Sequence, residues 1–265
     1  MSGTINIPAP ESTGADYFDL SAALEALDSG APLVFPPFHI TRLRIGGHDL
    51  TFCSNFDRDP VQKAQRKGAF FEAEDLAKVA EHLPKAPRVL DVGANVGNHA
   101  IYFATQCDAA SVIVVEPNPL ALAPLVANIV LNNLTDVIRM DALGVGLGAE
   151  SEAGLFMKRH DRNLGGTKML RGRDGDLEVH AGDMLFEEEQ FDLIKIDVEG
   201  MEMEVLTGLE ATVERCKPLL FIEVDDANAE AFQSWCSKRG YQSVFEVRHY
   251  GANMNFFMKY VGENA

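Results

Sequence analysis

The sequence predicts an α/β fold: a mostly parallel seven-stranded sheet with helices on both faces and a small N-terminal accessory region. Three observations carry this. From Arg88 onward, short apolar runs bounded by turn residues alternate with longer stretches of helical period, the pattern of parallel strands joined through helices. The run Arg88-Val89-Leu90-Asp91-Val92 passes through Gly93-Ala94-Asn95-Val96-Gly97 into an apolar helical stretch, so a glycine turn falls at the carboxyl edge of a strand. The composition, 46% hydrophobic and 24% charged over 265 residues, is that of a packed domain long enough to bury one full core.

In chain order, residues 1–15 are rich in Pro, Ser, Thr and Gly and read as a loose tail. Residues 16–70 form the accessory region. Apolar residues recur at helical spacing up to Leu27, and Ile40 to Cys53 alternates about Gly46-Gly47 as in a hairpin. Residues 71–265 make the main domain, opening with a helix over Glu72–Leu83 that stops before Pro84 and Pro87. Strands are predicted at Arg88–Val92, Val112–Glu116, Val137–Asp141, Leu193–Asp197 and Leu219–Val224. Helices are predicted at Gly97–Cys107, Leu120–Leu131, Glu202–Cys216 and Ala227–Arg239, and closing strands at Tyr241–Val247 and Asn255–Tyr260. Between Gly148 and Phe191 lies an insertion of two or three short alternating pieces, longer than an ordinary connection.

No run approaches the roughly 18 apolar residues of a membrane helix, and the N-terminus lacks a basic start followed by an apolar stretch, so a cytoplasmic protein is expected. Cys53, Cys107, Cys216 and Cys236 are scattered without metal-site spacing and read as reduced structural thiols. Lys and Arg number 23 against 40 Asp and Glu, a net charge of -17 that repels phosphate backbones and anionic membrane surfaces alike. The exception is a local basic stretch from Arg159 to Arg173, which also reads as an exposed loop.

At the glycine turn, Gly93 and Gly97 allow a sharp bend and a close backbone approach, and the following helix offers free N–H groups and a partial positive charge. The spacing G-x-x-x-G departs from the dinucleotide fingerprint. Glu116 ends the second strand, where a carboxylate can accept both hydroxyls of a ribose; the alternative is a cap for the helix begun by Pro117 and Pro119. Asp91 likewise reads as a ligand group or a turn cap. Asp141 and Ala142, at the end of the third strand, are placed to meet an adenine.

These residues resemble the FkbM family of class I methyltransferases. The resemblance is carried by Phe71-Glu72, by the turn from Asp91 to Asn98, by Glu116-Pro117-Asn118-Pro119 with Asn128, and by Ile194-Lys195-Ile196-Asp197-Val198-Glu199-Gly200-Met201-Glu202. It covers about residues 70 to 225 and does not match the chain before residue 60. It implies a Rossmann-like methyltransferase domain that binds S-adenosylmethionine. By the same resemblance Asp91, Gly93, Asn95 and Gly97 surround the methionine part, Glu116 holds the ribose, Asp141 and Ala142 lie near the adenine, and Glu72 closes over the methionine end. It also implies a small-molecule acceptor methylated on a hydroxyl, often of a sugar or natural product.

Methylating a hydroxyl leaves a proton to remove. Asp197 and Glu199, two apart, share a face if their strand continues, and Asp197 is the first choice of base. Glu223 and Asp225-Asp226 end the next strand, and such oxygens also suit Mg²⁺ or Ca²⁺, although no metal is assigned. Glu202 reads equally as a helix cap, and Lys195 in a buried strand needs a carboxylate neighbour. His99 faces the site if its helix starts at Gly97, and otherwise is a helix-terminal hydrogen-bonding residue. His249 and Tyr250 are within reach of an acceptor pocket, and Trp235 belongs to the core. The rival readings are a nicotinamide oxidoreductase, against which the missing third glycine counts, and a non-catalytic adenosyl-binding protein, against which the carboxylate block counts.

Overall fold

A computed structural model describes residues 18–157, 163–172, 175–249 and 251–262. The 1–15 tail, most of the basic stretch before Asn163 together with Arg173, and Tyr250 lie outside the described residues.

The accessory region consists of α1 (Leu20–Ser29), the antiparallel hairpin β1 (His39–Ile45) and β2 (His48–Ser54), and α2 (Pro60–Arg66). The last was not foreseen, because its seven residues, about two turns, offer too few apolar repeats to register as a period. α3 (Ala73–Ala80) leads into β3 (Arg88–Val92), α4 (Asn98–Gln106), β4 (Ser111–Glu116), α5 (Pro119–Leu131) and β5 (Ile138–Leu143). The insertion supplies β6 (Gly146–Gly148), β7 (Glu152–Met157), β8 (Met169–Arg171), β9 (Leu177–Ala181) and α6 (Gly182–Leu185). The chain then completes the sheet with β10 (Leu193–Ile196), α7 (Glu202–Gly208), α8 (Glu210–Cys216), β11 (Leu219–Asp225), α9 (Ala229–Lys238), β12 (Tyr241–Val247) and β13 (Asn253–Tyr260). The single helix expected over Glu202–Cys216 is broken at Leu209, whose φ of -109° leaves the helical region. Gly208, just before the break, packs so closely on the Gly148 carbonyl that a Cβ would overlap it.

The main sheet has seven strands in the order β12-β13-β11-β10-β3-β4-β5; the central pairs are parallel and β13 runs antiparallel to both neighbours. Its strands alternate between two apolar layers. Val89, Val112 and Val114 face a core shared with Phe103 and Leu125, whereas Leu90, Val92, Ile113 and Val115 face one shared with Val205 and Phe232. This is why the strands read as continuous apolar runs and not as alternations. Phe38, Leu50 and Phe52 of the accessory region belong to the first of these cores. Asn132, just past the end of α5, clasps the Thr51 backbone from both sides, at 2.7 Å to N and to O. The four cysteines are free thiols, and burial pushes the pKa of Cys53 up to about 12. No helix among the described residues is long and apolar enough to cross a membrane.

Candidate functional site

At the carboxyl edge of β3 the backbone makes three left-handed steps, at Gly93 (φ 75°), Asn95 (φ 50°) and Gly97 (φ 85°). Neighbouring elements hold the turn from several sides. Gly93 and Ala94 donate to the Val115 carbonyl at 2.9 and 3.1 Å. From beneath, the Lys195 ammonium donates to the carbonyls of Gly93 (2.6 Å) and Val92 (3.3 Å) and lies 3.1 Å from Asp91 Oδ1. Burial opposes the charge of Lys195, but Asp91 and Asp197 outweigh it and hold its pKa above the usual lysine range. Asn128 Nδ2 donates to the Val96 carbonyl at 2.8 Å while its Oδ1 accepts from Cys53 N–H at 2.6 Å, tying turn and hairpin together.

This arrangement gives Asp91, Gly93 and Gly97 work in the protein's own packing, and of the three only Gly93 also lines the cleft. Asp91 is fully buried behind the turn as the partner of Lys195 and does not line the cleft. The close approach at Gly93 is to protein: a Cβ there would overlap the Asp197 carbonyl oxygen. At Gly97 a Cβ would stand 2.9 Å from Leu125 Cδ1, so that glycine serves the packing of α4 on α5.

The cleft above the turn has two lobes that share Gly93, Asn95, Gly165, Asp197 and Glu199. One is mostly apolar, walled by Val115, Pro117, Leu147, Met157, Leu164 and Met169, with Glu116 at its floor. Glu116 is buried; Oε2 accepts from Asn95 N–H and Oε1 from Asn118 N–H, both at 2.7 Å. It therefore leaves the capping of α5 to Asn118, which accepts from Leu120 N–H at 3.1 Å. Burial pushes the pKa of Glu116 up to about 7 against those two amides. Each carboxylate oxygen keeps a second lone pair for a hydroxyl.

The other lobe is the polar one only in that it gathers charged side chains, among them Glu72, Lys168, Asp197, Glu199 and Glu223. Glu72, in a left-handed conformation (φ 56°), points at His99, with Oε2 3.4 Å from Nε2. Asn98 fixes it there by exchanging two hydrogen bonds with the Phe71 backbone, at 2.9 and 3.0 Å. Burial alone would raise the pKa of Glu72, but the hydrogen bond and charge of His99 bring it below the usual range. Opposite them, oxygens of Asp197, Glu199 and Glu223 lie within 4.8 Å of one another. β10 stops at Ile196, so Asp197 and Glu199 are not brought together by strand alternation as expected. The chain instead turns through left-handed Glu199 (φ 53°) and Gly200 (φ 100°). Burial and the charge of Asp197 push Glu199 up to about 7 and Glu223 up to about 9.

Because the folded-state pKa of Glu223 lies above its unfolded value, its contribution to stability is complete below about pH 4.5 and is lost as pH rises through about 9. Glu223→Gln keeps a hydrogen-bond donor for Asp197 and cannot ionise. In urea denaturation it is expected to match wild type near pH 5 and to exceed it by about 1–3 kcal/mol near pH 9, after discounting for solvent screening. Parallel stability curves across that range would remove Glu223 from the titrating cluster.

Other candidates fall outside the cleft. β5 runs to Leu143, two residues beyond the predicted end, which leaves Asp141 short of the sheet edge. Its carboxylate is 58% exposed and pairs at 2.8 Å with Arg139, which also reaches Glu189. Ala142 is buried in the core, and neither residue lines a lobe. Glu202 caps no helix of its own; it accepts from Asp225 N–H and Asn228 Nδ2 at 2.7 and 2.9 Å. His249 contacts the Asp75 carboxylate on α3, and Trp235 packs on Tyr241. Lys168, within the basic stretch, does line the polar lobe and pairs with Asp225 at 3.1 Å. Sequence reasoning missed Asn98 as a clamp, although it closes the glycine-turn block, and missed Leu164 and Met169, which carry no local signal.

A family model described as Methyltransferase FkbM domain matches residues 91–260. Methyltransferase sdnD of Sordaria araneosa is 29% identical over 166 residues, covering 49% of this chain and 62% of that protein. The chain thus spans less than two thirds of the length of that curated relative. Among solved structures, Methyltransferase FkbM from Methylobacillus flagellatus KT aligns with a TM-score of 0.45 at 19% identity, over 65% of this chain and 44% of that one. M. capricolum TrmK, solved with S-adenosyl-homocysteine, aligns with a TM-score of 0.45 at 11% identity, over 70% of this chain and 67% of that one.

Proposed function

Because the chain belongs to the FkbM-domain methyltransferases, whose methyl donor is S-adenosylmethionine, we propose that it binds this cofactor across the glycine turn and methylates a hydroxyl oxygen of a small, sugar-like or natural-product-like acceptor. The observation that carries the reading is the buried Glu116 carboxylate on the floor of an apolar lobe, one turn away from a polar lobe lined by carboxylates. An apolar wall with one carboxylate suits a nucleoside: side chains cover the base and Glu116 accepts from the ribose hydroxyls. Asn95 Oδ1, between the lobes, is buried with no hydrogen-bond partner among the described residues, a position that an ammonium group would satisfy. Glu72 and His99 face the same end. The net charge of -17 favours a small acceptor over a nucleic acid.

When bound, S-adenosylmethionine supplies a methyl group already activated on sulfur. The residues of the chain have two tasks. The first is alignment, in which the two lobes hold donor and acceptor in one geometry and exclude water, worth about 7–11 kcal/mol of barrier. The second is proton removal: Asp197, half-buried and lining both lobes, takes the hydroxyl proton as the new C–O bond forms and passes it to solvent. Glu223, protonated at neutral pH, donates a hydrogen bond to Asp197 and keeps it facing the acceptor.

Calorimetry with S-adenosylhomocysteine, and thermal shift with S-adenosylmethionine and NAD, test the reading. The adenosyl ligands are expected to stabilise the protein by about 2.7 kcal/mol at 100 times their dissociation constant, and NAD is expected to do nothing. Stabilisation by NAD alone would return the chain to the oxidoreductase reading. Glu116→Ala is expected to weaken S-adenosylhomocysteine by about 1.5–3 kcal/mol while the protein stays folded. An unchanged dissociation constant would reduce Glu116 to a brace for the Asn95 and Asn118 amides.

A further inference from the structure

The family match begins at residue 91, yet a buried carboxylate well upstream of it takes part in building the cleft. Asp59 is fully buried at the start of α2, and its two oxygens have different work. Oδ1 accepts from Gln62 N–H at 2.9 Å and caps the helix, whereas Oδ2 accepts from Leu164 N–H at 2.8 Å across 105 positions of chain. Leu164 lies at the start of a short turn closed by Thr167 N–H donating to its carbonyl at 3.3 Å. Leu164, Gly165 and Thr167 all line the apolar lobe. The Leu164 side chain packs with Val61 of α2 and Val96 of the glycine turn. Burial raises the pKa of Asp59, and the amides of Gln62 and Leu164 counter it.

We propose that Asp59 is a positioning residue of the cofactor cleft: with one oxygen on α2 and the other on Leu164, it fixes the 164–167 turn as a wall of the nucleoside lobe. A segment outside the family match thereby sets cofactor affinity. The proposal rests on the placement of S-adenosylmethionine in this cleft. Only a carboxylate offers two acceptors to two N–H groups at this distance. An Asn keeps one acceptor and turns an NH₂ on the other amide; a Ser keeps the cap and cannot reach Leu164.

Asp59→Asn and Asp59→Ser therefore separate the two roles. Both are expected to fold and to bind S-adenosylhomocysteine ~10-fold more weakly than wild type. KM for the methyl donor should rise in step while kcat at saturating donor changes little. A merely structural role would lower the melting temperature and leave the dissociation constant alone. Folded variants with affinity within about twofold of wild type overturn the proposal. If wild type itself fails to bind S-adenosylhomocysteine, the cofactor reading fails first and this proposal falls with it. If neither variant folds, amide hydrogen exchange on the wild-type protein decides. Leu164 N–H is expected to be as protected as Gln62 N–H before any ligand is added, and exchange at the rate of an open loop overturns the proposal.

Discussion

Asp197→Asn is expected to lose about 10² to 10⁴ in methyl-transfer rate while its affinity for S-adenosylhomocysteine stays nearly unchanged. Asp197 stands at the boundary of the two lobes, with Oδ2 3.8 Å from Lys195 Nζ, and its backbone is held by Asp197 N–H donating to the Val92 carbonyl at 3.0 Å. The side chain of Asn has nearly the same shape, so the packing of the turn survives and only the capacity to take a proton goes. Single-turnover measurement with a true acceptor separates this from a binding defect, because the loss should persist at saturating donor and acceptor. Wild-type activity is expected to resist chelation, since in the proposed mechanism the carboxylate acts as a base and not as a ligand. Activity that collapses on chelation and returns with Mg²⁺ or Mn²⁺ would make the Asp197, Glu199 and Glu223 oxygens a metal site. Near-full turnover in Asp197→Asn would move proton removal to Glu199, Glu223, His99 or solvent.

Gly93→Ala is expected to cost about 3 kcal/mol or more of stability and to abolish measurable cofactor binding. Two penalties add at one position. The φ of 75° is strained for any residue with a Cβ, and the new methyl group would overlap the backbone oxygen of Asp197. Backbone cannot step aside as a flexible side chain can, so β10 and β3 would have to separate at the edge where the site lies. Gly97→Ala is the internal comparison. It shares the left-handed φ but meets only the end of Leu125, which can rotate, so its stability loss should be the smaller. Calorimetric unfolding and S-adenosylhomocysteine titration of both variants check this. A Gly93→Ala protein of wild-type stability would mean that the Asp197 carbonyl does not sit against the turn.

Much of the sheet was legible because its strands are buried on both faces and interrupted by turn residues. The glycine turn and Glu116 were legible because they stand at strand ends with strong local signals. The need of Lys195 for a carboxylate neighbour was also readable from its place in an apolar strand, and Asp91 meets it. Two of the site expectations failed because they depended on the last residue of a strand. β5 continues two residues past Asp141, and β10 stops before Asp197, so alternation placed one candidate at an edge it does not reach and explained another pair by a strand that had already ended. The partners of Asp59 and Asn128 could not be read at all. Each side chain bonds a backbone group far away in sequence, and a backbone amide leaves no mark on the residue type that carries it.

The pairing of β10 with β3 also governs when the protein can work during its own folding. Lys195 bonds the Gly93 carbonyl across 102 positions of chain, and both lobes draw on residues from either side of that gap. Parallel pairing at such separation must close a long loop before it gains any contact, which makes it a slow step. During synthesis the glycine turn therefore emerges without its floor, and it acquires one only after β10 has docked beside β3. Ligand capture should appear late and all at once in a refolding experiment, on the same time course as burial of the central strands.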